Sequence, residues 1–129
     1  MKKTLEHNLC ERYGQILRID LNNPLFGFEC GDGWYSILDA LFERMAHHAS
    51  HSASKKIVIT QVKEKYGSLR VYYISNDPIL EAFVDLAESL SERTCEVCGC
   101  PGKMTVNATK WIRVRCQQHE DTSTAVWPS

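Results

Sequence analysis

A chain of 129 residues with 43% hydrophobic and 24% charged side chains has the composition of one ordinary globular domain. A chain of this length buries about two-thirds of its unfolded surface, so wholesale disorder and fibrous repeats are excluded. A formal net charge of -1 excludes the strong basic field of proteins that bind nucleic acid without sequence preference, and leaves a local basic patch open.

The beginning of the chain, MKKTLEHNLC, has two lysines but no apolar run behind them, so we expect no secretory signal. No segment has the length of a membrane span, so no membrane partner is expected. The expected compartment is therefore the reducing cytosol. There, six cysteines bind metal more often than they form disulfides.

Hydrophobic spacing predicts three helices, of which the first covers about residues 4–13 and ends near Gly14. The second has Asp32 as its N-cap and ends in AHHASHSAS, which we expect to be a mobile loop. The third begins at Asp77-Pro78, a cap followed by a first-turn proline. The apolar stripes of the second and third helices consist of Trp34, Ile37, Leu38, Leu41, Phe42 and Met45, and of Ile79, Phe83, Leu86 and Leu90 with Val84 and Ala87 alongside.

Between the first two helices, the segment LNNPLFGFECGDG predicts an ordered loop, because Phe26 and Phe28 favour burial. From Ile57 the segment IVITQVKEKYGSLRVYYI is rich in β-branched and aromatic residues and is broken at Gly67-Ser68, which predicts a β-hairpin. Two strands are marginally stable alone, so we expect the third helix to cover one face of the hairpin.

The last part of the chain contains Cys95-x-x-Cys98 and, after seventeen residues, Cys116-x-x-His119. Two such pairs are typical of a tetrahedral structural zinc site. Gly99 lets the first pair fold as a knuckle. A short strand from Trp111 delivers Cys116, and the spacing to His119 suits the first turn of a closing helix, so the module resembles a treble clef. A closed set of four ligands leaves no position for water, and we expect one structural Zn²⁺.

Other residues have alternative interpretations that the sequence leaves open. Cys100 is a rival zinc ligand, but its position directly after the knuckle gives it poor geometry for sharing an ion with Cys98. Cys30 precedes a helix N-terminus, where a thiol can become a nucleophile, but a small buried apolar group is the favoured interpretation. His47 and His51, with His48 beside them, could share a metal, although a solvated loop is favoured. The role of Cys10 is open.

A candidate partner-binding surface surrounds the hairpin tip, where Tyr66 accompanies Lys63, Lys65 and Arg70. Basic groups beside exposed aromatic rings can hold phosphates and stack bases. A solvated strand face with its tyrosines packed on the core is the favoured alternative, given the near-neutral net charge. The zinc module adds further cations, namely Lys103, Lys110, Arg113 and Arg115.

Enzyme signatures are absent from the sequence. We find no phosphate-binding Gly-x-x-x-x-Gly-Lys, no Gly-x-Ser-x-Gly and no His-Glu-x-x-His. The zinc deaminase pattern also fails, because there is no His-x-Glu and Thr94 stands where proline should precede Cys95.

Three blocks, GFECGDGWYSIL at 27–38, QVKEKYGSLRVYY at 61–73 and TCEVCGCPG at 94–102, resemble a family of small uncharacterised phage and prophage proteins. That family ends with a tryptophan-containing strand and Cys-x-x-His, matched here by Trp111, Cys116 and His119. The resemblance implies an accessory protein of mobile DNA in the cytoplasm of a bacterial host cell. Such proteins often bind a host or phage protein, as inhibitors, anti-defence factors or immunity proteins.

The sequence therefore predicts an α+β fold, with helices packed on a β-hairpin and a treble-clef-like zinc module. We expect residues 1–93 to form the core and residues 94–129 to form the module, packed together as one unit. The leading functional hypothesis is a non-enzymatic protein-binding module. Nucleic-acid binding is the second hypothesis, and a small enzyme using Cys30 is the third.

Overall fold

The computed structural model describes residues 1–17, 27–51 and 56–120. These residues form a mixed α+β fold, as predicted, and none of their helices is long and apolar enough to cross a membrane. The elements in chain order are α1 (Lys3–Arg12), β1 (Phe28–Glu29), a 3₁₀ turn (Asp32–Trp34), α2 (Tyr35–Ser50), β2 (Val58–Lys65), β3 (Ser68–Ile74), α3 (Ile79–Ser91), β4 (Lys103–Val106) and β5 (Ile112–Arg115).

The predicted hairpin is β2 and β3, which pair in antiparallel register. Its turn consists of Tyr66 and Gly67, one residue earlier than predicted, with φ of 54° and 80°. Positive φ at both positions is what a two-residue type I′ turn requires, and Ser68 is already in β3. The short strand β1 was not predicted. It pairs with β2 in parallel, Phe28 opposite Val62, so part of the expected loop is a sheet edge.

One hydrophobic core lies between the helices and the inner face of the three-stranded sheet. Trp34 and Phe42 are fully buried, as predicted, and Phe28 is nearly so. Phe26 lies outside the described residues. The other core side chains include Leu9, Ile16, Leu38, Met45, Ile59, Val62, Leu69, Leu80 and Val114.

Helix α2 differs from the prediction at both ends. The carboxylate of Asp32 does not cap it, because Oδ1 accepts the backbone N–H of Lys2 at 2.8 Å. At the other end the helix continues through Ser50, where the sequence predicted a loop. The half-buried Ala49 packs against the core, and the ring of His48 contacts the carboxylate of Asp77, so both residues hold the last turn in helical form. Residues 52–54 of the predicted loop lie outside the described residues.

Helix α3 buries a different face from the one predicted. Leu80, Val84 and Ala87 enter the core, whereas Leu86 is 63% exposed. Phe83 is half-buried, and Ile79 and Leu90 are also exposed. The apolar residues of this helix form one wide stripe opposite Glu81 and Asp85, so periodicity alone could not select which half of the stripe meets the core.

Polar groups at the end of α3 fix the helix on the edge of β3. The backbone N–H of Leu69 donates to the hydroxyl of Ser91 at 2.9 Å, deep in the structure. Arg70 extends over the same edge and forms an ion pair of 3.4 Å with Glu88. The third helix therefore packs on the hairpin as expected, and its side chains satisfy an edge that would otherwise be open.

Candidate metal centre

The four residues predicted as ligands lie close together. One ligand atom from each of Cys95, Cys98, Cys116 and His119 falls within 4.8 Å of the other three. The Sγ atoms of Cys98 and Cys116 are 3.7 Å apart, and His119 Nδ1 is 3.8 Å from Cys95 Sγ. Tetrahedral zinc with Zn–S bonds of about 2.3 Å would separate two sulfurs by about 3.8 Å. The cluster therefore has the dimensions of a metal site.

The first ligand pair lies in a tight backbone turn. The N–H of Gly99 donates to the carbonyl of Cys95 at 2.9 Å, and the N–H of Cys95 donates to the carbonyl of Cys100 at 2.8 Å. Gly99 has φ of 82°, a left-handed conformation that a side chain would strain. This is the knuckle that the sequence predicted.

Backbone dipoles favour the ionised form of the most buried ligand. Burial opposes ionisation of Cys95, but N–H groups of Cys116, Cys98 and Val97 point at its sulfur, and the pKa of the thiol falls to about 6. A thiolate is the form of cysteine that binds metal, so the knuckle is prepared for a cation.

The second pair follows β5, which delivers Cys116 from the ribbon formed by β4 and β5. His119 closes a hydrogen-bonded turn, its N–H donating to the carbonyl of Cys116 at 3.0 Å. The expected first turn of a closing helix is a simple turn over residues 117–120. Residues 121–129 lie outside the described part of the chain.

The knuckle lies directly on the entrance to α2, at Gly33. The N–H of Gly33 donates to the carbonyl of Glu96 at 2.8 Å, and a Cβ at this position would lie only 2.1 Å from the carbonyl oxygen of Cys95. The indole N–H of Trp34 donates to the carbonyl of Thr94 at 2.9 Å. The motif Gly31-Asp-Gly33-Trp34 is therefore a docking surface for the metal-binding turn, a role that its sequence did not reveal.

A buried charge lies beside each ligand pair. Glu96, after Cys95, accepts the N–H of Gly31 through Oε2 at 2.9 Å and lies 3.8 Å through Oε1 from the Arg115 guanidinium. Arg115, before Cys116, is also almost completely buried. Burial raises the pKa of Glu96 to about 7. These two side chains connect the knuckle, the ribbon and the core.

None of the alternative candidates belongs to the cluster, although Cys100 contacts Cys98 at its border. Cys100 is exposed and is not among the four clustered residues. Cys30 is completely buried, and burial raises the pKa of its thiol far above the ordinary value, so it is not an activated nucleophile. His47 and His51 stack on α2 with ring centroids 4.4 Å apart. No second group of metal-ligating side chains occurs among the described residues.

Tyr66 is 72% exposed at the hairpin tip. It lines a groove of about 480 Å³ between the two hairpin tips, which we call the tip groove. Lys65 lines the same groove, and the ribbon contributes Lys110 and Trp111. The side chains of Glu64, Thr109 and Ile112 complete its lining. The sequence did not predict that Tyr66 would lie near Trp111.

The other predicted partner-binding residues lie on the sheet next to this groove. Lys63 is opposite Arg70 in the β2–β3 register, so the two cations share one face. Arg70 is engaged with Glu88, which reduces its availability to an anionic partner. In the ribbon, Arg113 and Arg115 are buried, and only Lys103 and Lys110 of the four predicted cations are exposed.

An apolar surface on the ribbon was not predicted. Met104, Val106 and Ile112 share one face by register and alternation, and all three are exposed. We call these three side chains the ribbon patch. The alternation of Lys103-Met-Thr-Val106 was visible in the sequence, but nothing there showed that β4 would lie on the outside.

Comparison of the chain with protein-family profiles, with curated proteins and with solved structures found no match.

Proposed function

We propose that the Cys/His cluster holds one structural Zn²⁺ in a treble-clef-like module. The chemistry of the donor set supports zinc, because three thiolates and one imidazole in tetrahedral arrangement are a common structural zinc site. The dimensions of the cluster support it as well, since its Sγ–Sγ distance of 3.7 Å matches tetrahedral coordination. Four protein ligands leave no open position for water, so the ion stabilises the fold and does not activate a substrate.

Metal analysis of the purified protein tests this proposal directly. We expect one zinc per chain in protein isolated without chelators. Cys98→Ser should lose the ion, and Cys100→Ser, its matched control two residues away, should keep it. If Cys98→Ser kept its zinc and Cys100→Ser lost it, Cys100 would replace Cys98 in the ligand set.

The function we propose is that of a non-enzymatic accessory protein of phage or prophage type, which binds a host or phage protein in the bacterial cytoplasm. The observation that carries this proposal is the ribbon patch, three apolar side chains exposed on one face of the ribbon. Exposed apolar clusters of this kind are typical of protein-binding surfaces. The burial of Cys30 removes the nucleophile on which the enzyme alternative depended.

Nucleic-acid binding is a second candidate, and the tip groove is the observation that favours it. Tyr66 and Trp111 offer two ring faces, and Lys65 and Lys110 lie beside them. This pairing of stacking and charge is the usual composition of single-strand binding sites. Glu64 lines the same groove and weakens the positive field there, so we place this function second.

Two variants separate the candidates. We would measure Tyr66→Ala and a Lys63/Lys65 double alanine against a protein captured from the host cell and against random oligonucleotides, each at two salt concentrations. A protein partner that binds the ribbon patch predicts that both variants still capture it, with the lysines altering mainly the association rate. Oligonucleotide binding that is steeply salt-dependent and is lost in the lysine variant would promote the second candidate.

A further inference from the structure

The geometry of the ribbon points to a specific mode of protein recognition. We infer that the outer edge of β4 accepts an extended segment of a partner protein as an additional antiparallel or parallel strand. The segment would carry apolar side chains at alternate positions and acidic residues at its ends. This inference rests on the proposed protein-binding function and specifies where and how the partner binds.

The backbone of β4 has hydrogen-bonding groups directed away from β5. The N–H of Asn107 donates to the carbonyl of Trp111 at 3.1 Å, so these two residues form a hydrogen-bonded pair at the end of the ladder. Opposed pairs alternate along an antiparallel ladder, so Met104 and Val106 occupy the positions whose N–H and C=O point outward. Within the described part of the chain, neither residue has a backbone partner on that side.

The opposite edge of the ribbon is covered. The carbonyl of Val114 in β5 accepts the N–H of Glu96 at 3.1 Å, so the knuckle occupies this edge. Further along, Ile112 packs against the hairpin tip, where a Cβ on Gly67 would lie 3.0 Å from its Cγ2. The ribbon therefore has one satisfied edge and one open edge among the described residues.

Side chains on the open edge favour docking over solvation. Val106 is 65% exposed and Met104 is 45% exposed, on the same face as Ile112. Of the features that protect edge strands from pairing, β4 lacks proline and bulges but is short and begins with Lys103, so its unprotected part is Met104 to Val106. Strand addition supplies main-chain hydrogen bonds, and pockets for alternate side chains supply specificity.

The loop after β4 is organised before any partner arrives. The side-chain carbonyl of Asn107 accepts the N–H of Thr109 at 3.0 Å and the N–H of Trp111 at 3.0 Å. Lys110 takes a left-handed conformation in this loop, with φ of 64°. A preformed edge loses little conformational entropy when a strand is added, which favours affinity.

The distribution of charge selects the occupant. Lys103 begins β4 and Lys110 follows it, and both are exposed, so each end of the edge carries a lysine, with Glu120 near the first and Glu64 near the second. A second copy of this chain would place like charges together in either strand orientation, whereas acidic ends on a partner segment would be attracted. The apolar centre and outward amides suit a peptide strand, and a nucleic-acid strand would find no stacking surface on β4.

A library of random linear peptides of about ten residues, the length of a long strand, is a suitable probe because the partner is unidentified. The zinc-loaded protein would be used for selection. Val106→Pro removes the outward N–H without touching the ladder to β5, and Val106→Lys retains that N–H while placing a charge in the ribbon patch. Leu86→Lys is the matched control, since Leu86 is exposed to the same degree on a different element.

We expect enriched peptides that alternate apolar residues and end in Asp or Glu, with binding weakened about tenfold or more by Val106→Pro and by Val106→Lys. Leu86→Lys should bind as the unchanged protein does, and metal analysis should give equal zinc in all variants. No enrichment, or peptides that bind Val106→Pro with undiminished affinity, would overturn the edge site. A dimer that forms in sedimentation and is abolished by Val106→Pro would replace the partner segment with a second copy. Displacement of the enriched peptides by an oligothymidine would give the edge a nucleic-acid occupant and would also overturn the inference.

Failure of this inference is distinguishable from failure of the proposed function. A stoichiometric host protein that is captured equally by the unchanged chain and by Val106→Pro would retain the protein-binding function and remove only the edge site. Loss of that capture in Tyr66→Ala but not in Val106→Pro would move the interface to the tip groove.

Discussion

Gly33 offers the most direct test of how the metal-binding turn is attached to the core. Replacing it with alanine adds a single methyl group, which would lie 2.1 Å from the carbonyl oxygen of Cys95 and 2.6 Å from the carbonyl carbon of Glu96. Ordinary contact begins near 3.4 Å, so the knuckle must retreat by about 1.3 Å. Both neighbours are backbone atoms and cannot rotate away, so the displacement must move a ligand residue.

The expected loss of stability follows from two contributions. Overpacking in a close-packed interior costs about 1–3 kcal/mol. Retreat of the knuckle also breaks the hydrogen bond of 2.8 Å from Gly33 to Glu96, which contributes about 1 kcal/mol. We therefore expect Gly33→Ala to reduce the free energy of unfolding by about 2–4 kcal/mol and the melting temperature by about 10 °C.

Thermal and urea unfolding of the zinc-loaded protein measure this loss, and competition with a chromophoric chelator measures zinc affinity. Gly27→Ala is the control, because among the described residues its Cβ would meet only the Glu6 carboxylate, at an ordinary 3.6 Å. We expect the control to have the same unfolding midpoint as the unchanged protein. Gly33→Ala should have a lower midpoint and should release zinc at a lower chelator concentration. Identical unfolding midpoints for the two alanine variants would refute the close-packed docking of knuckle and core.

Two further predictions concern burial and metal removal. Trp34→Ala should cost about 3–5 kcal/mol in urea unfolding, whereas Trp111→Ala, at a half-exposed position beneath the Arg113 guanidinium, should cost less than about 2 kcal/mol. Chelation should release the ribbon first, because apparent structural zinc energies are about 10 kcal/mol or more. Hydrogen exchange should then accelerate at residues 103–115 before α2, and simultaneous exchange of both segments would show that they unfold as one unit.

The parts of this structure that were predicted are those with a local cause. A ligand pair separated by two residues can reach one ion by chain geometry alone, so Cys95 and Cys98 could be placed together from sequence. The helices and the hairpin follow from periodicity within single segments. In each case the interacting residues are near neighbours in the chain.

The parts that were missed depend on contacts between distant segments. Strand β1 has two residues and owes its existence to parallel pairing with β2, more than thirty positions later in the chain. Gly33 directly follows the predicted N-cap Asp32, and its closeness to Cys95 depends on how two segments dock. Leu86 was placed inside because it lies on the wide apolar stripe of α3, of which only one half meets the core. Local patterns carry no information about which neighbour a surface will meet.

The final prediction concerns the buried pair of Glu96 and Arg115, which links both ligand pairs to the core. Their closest charged atoms are 3.8 Å apart, and the Nε and Nη2 atoms of Arg115 have no hydrogen-bond partner among the described residues. Well above the pKa of about 7 of Glu96, where the carboxylate is ionised, Glu96→Gln can still accept the N–H of Gly31 but leaves the guanidinium without its counter-charge, which should cost about 3–5 kcal/mol.

Arg115→Met fills a similar volume without a charge, so combining it with Glu96→Gln should restore most of the stability that the glutamine variant loses. Urea unfolding of the four proteins in a double-mutant cycle measures the coupling, which we expect to exceed about 1.5 kcal/mol. Zinc content should stay at one per chain in the double variant, since neither residue is a ligand. Additive losses would show that the two charges act independently, and the attachment of the module would then depend on the backbone contacts of Gly33 and Glu96 alone.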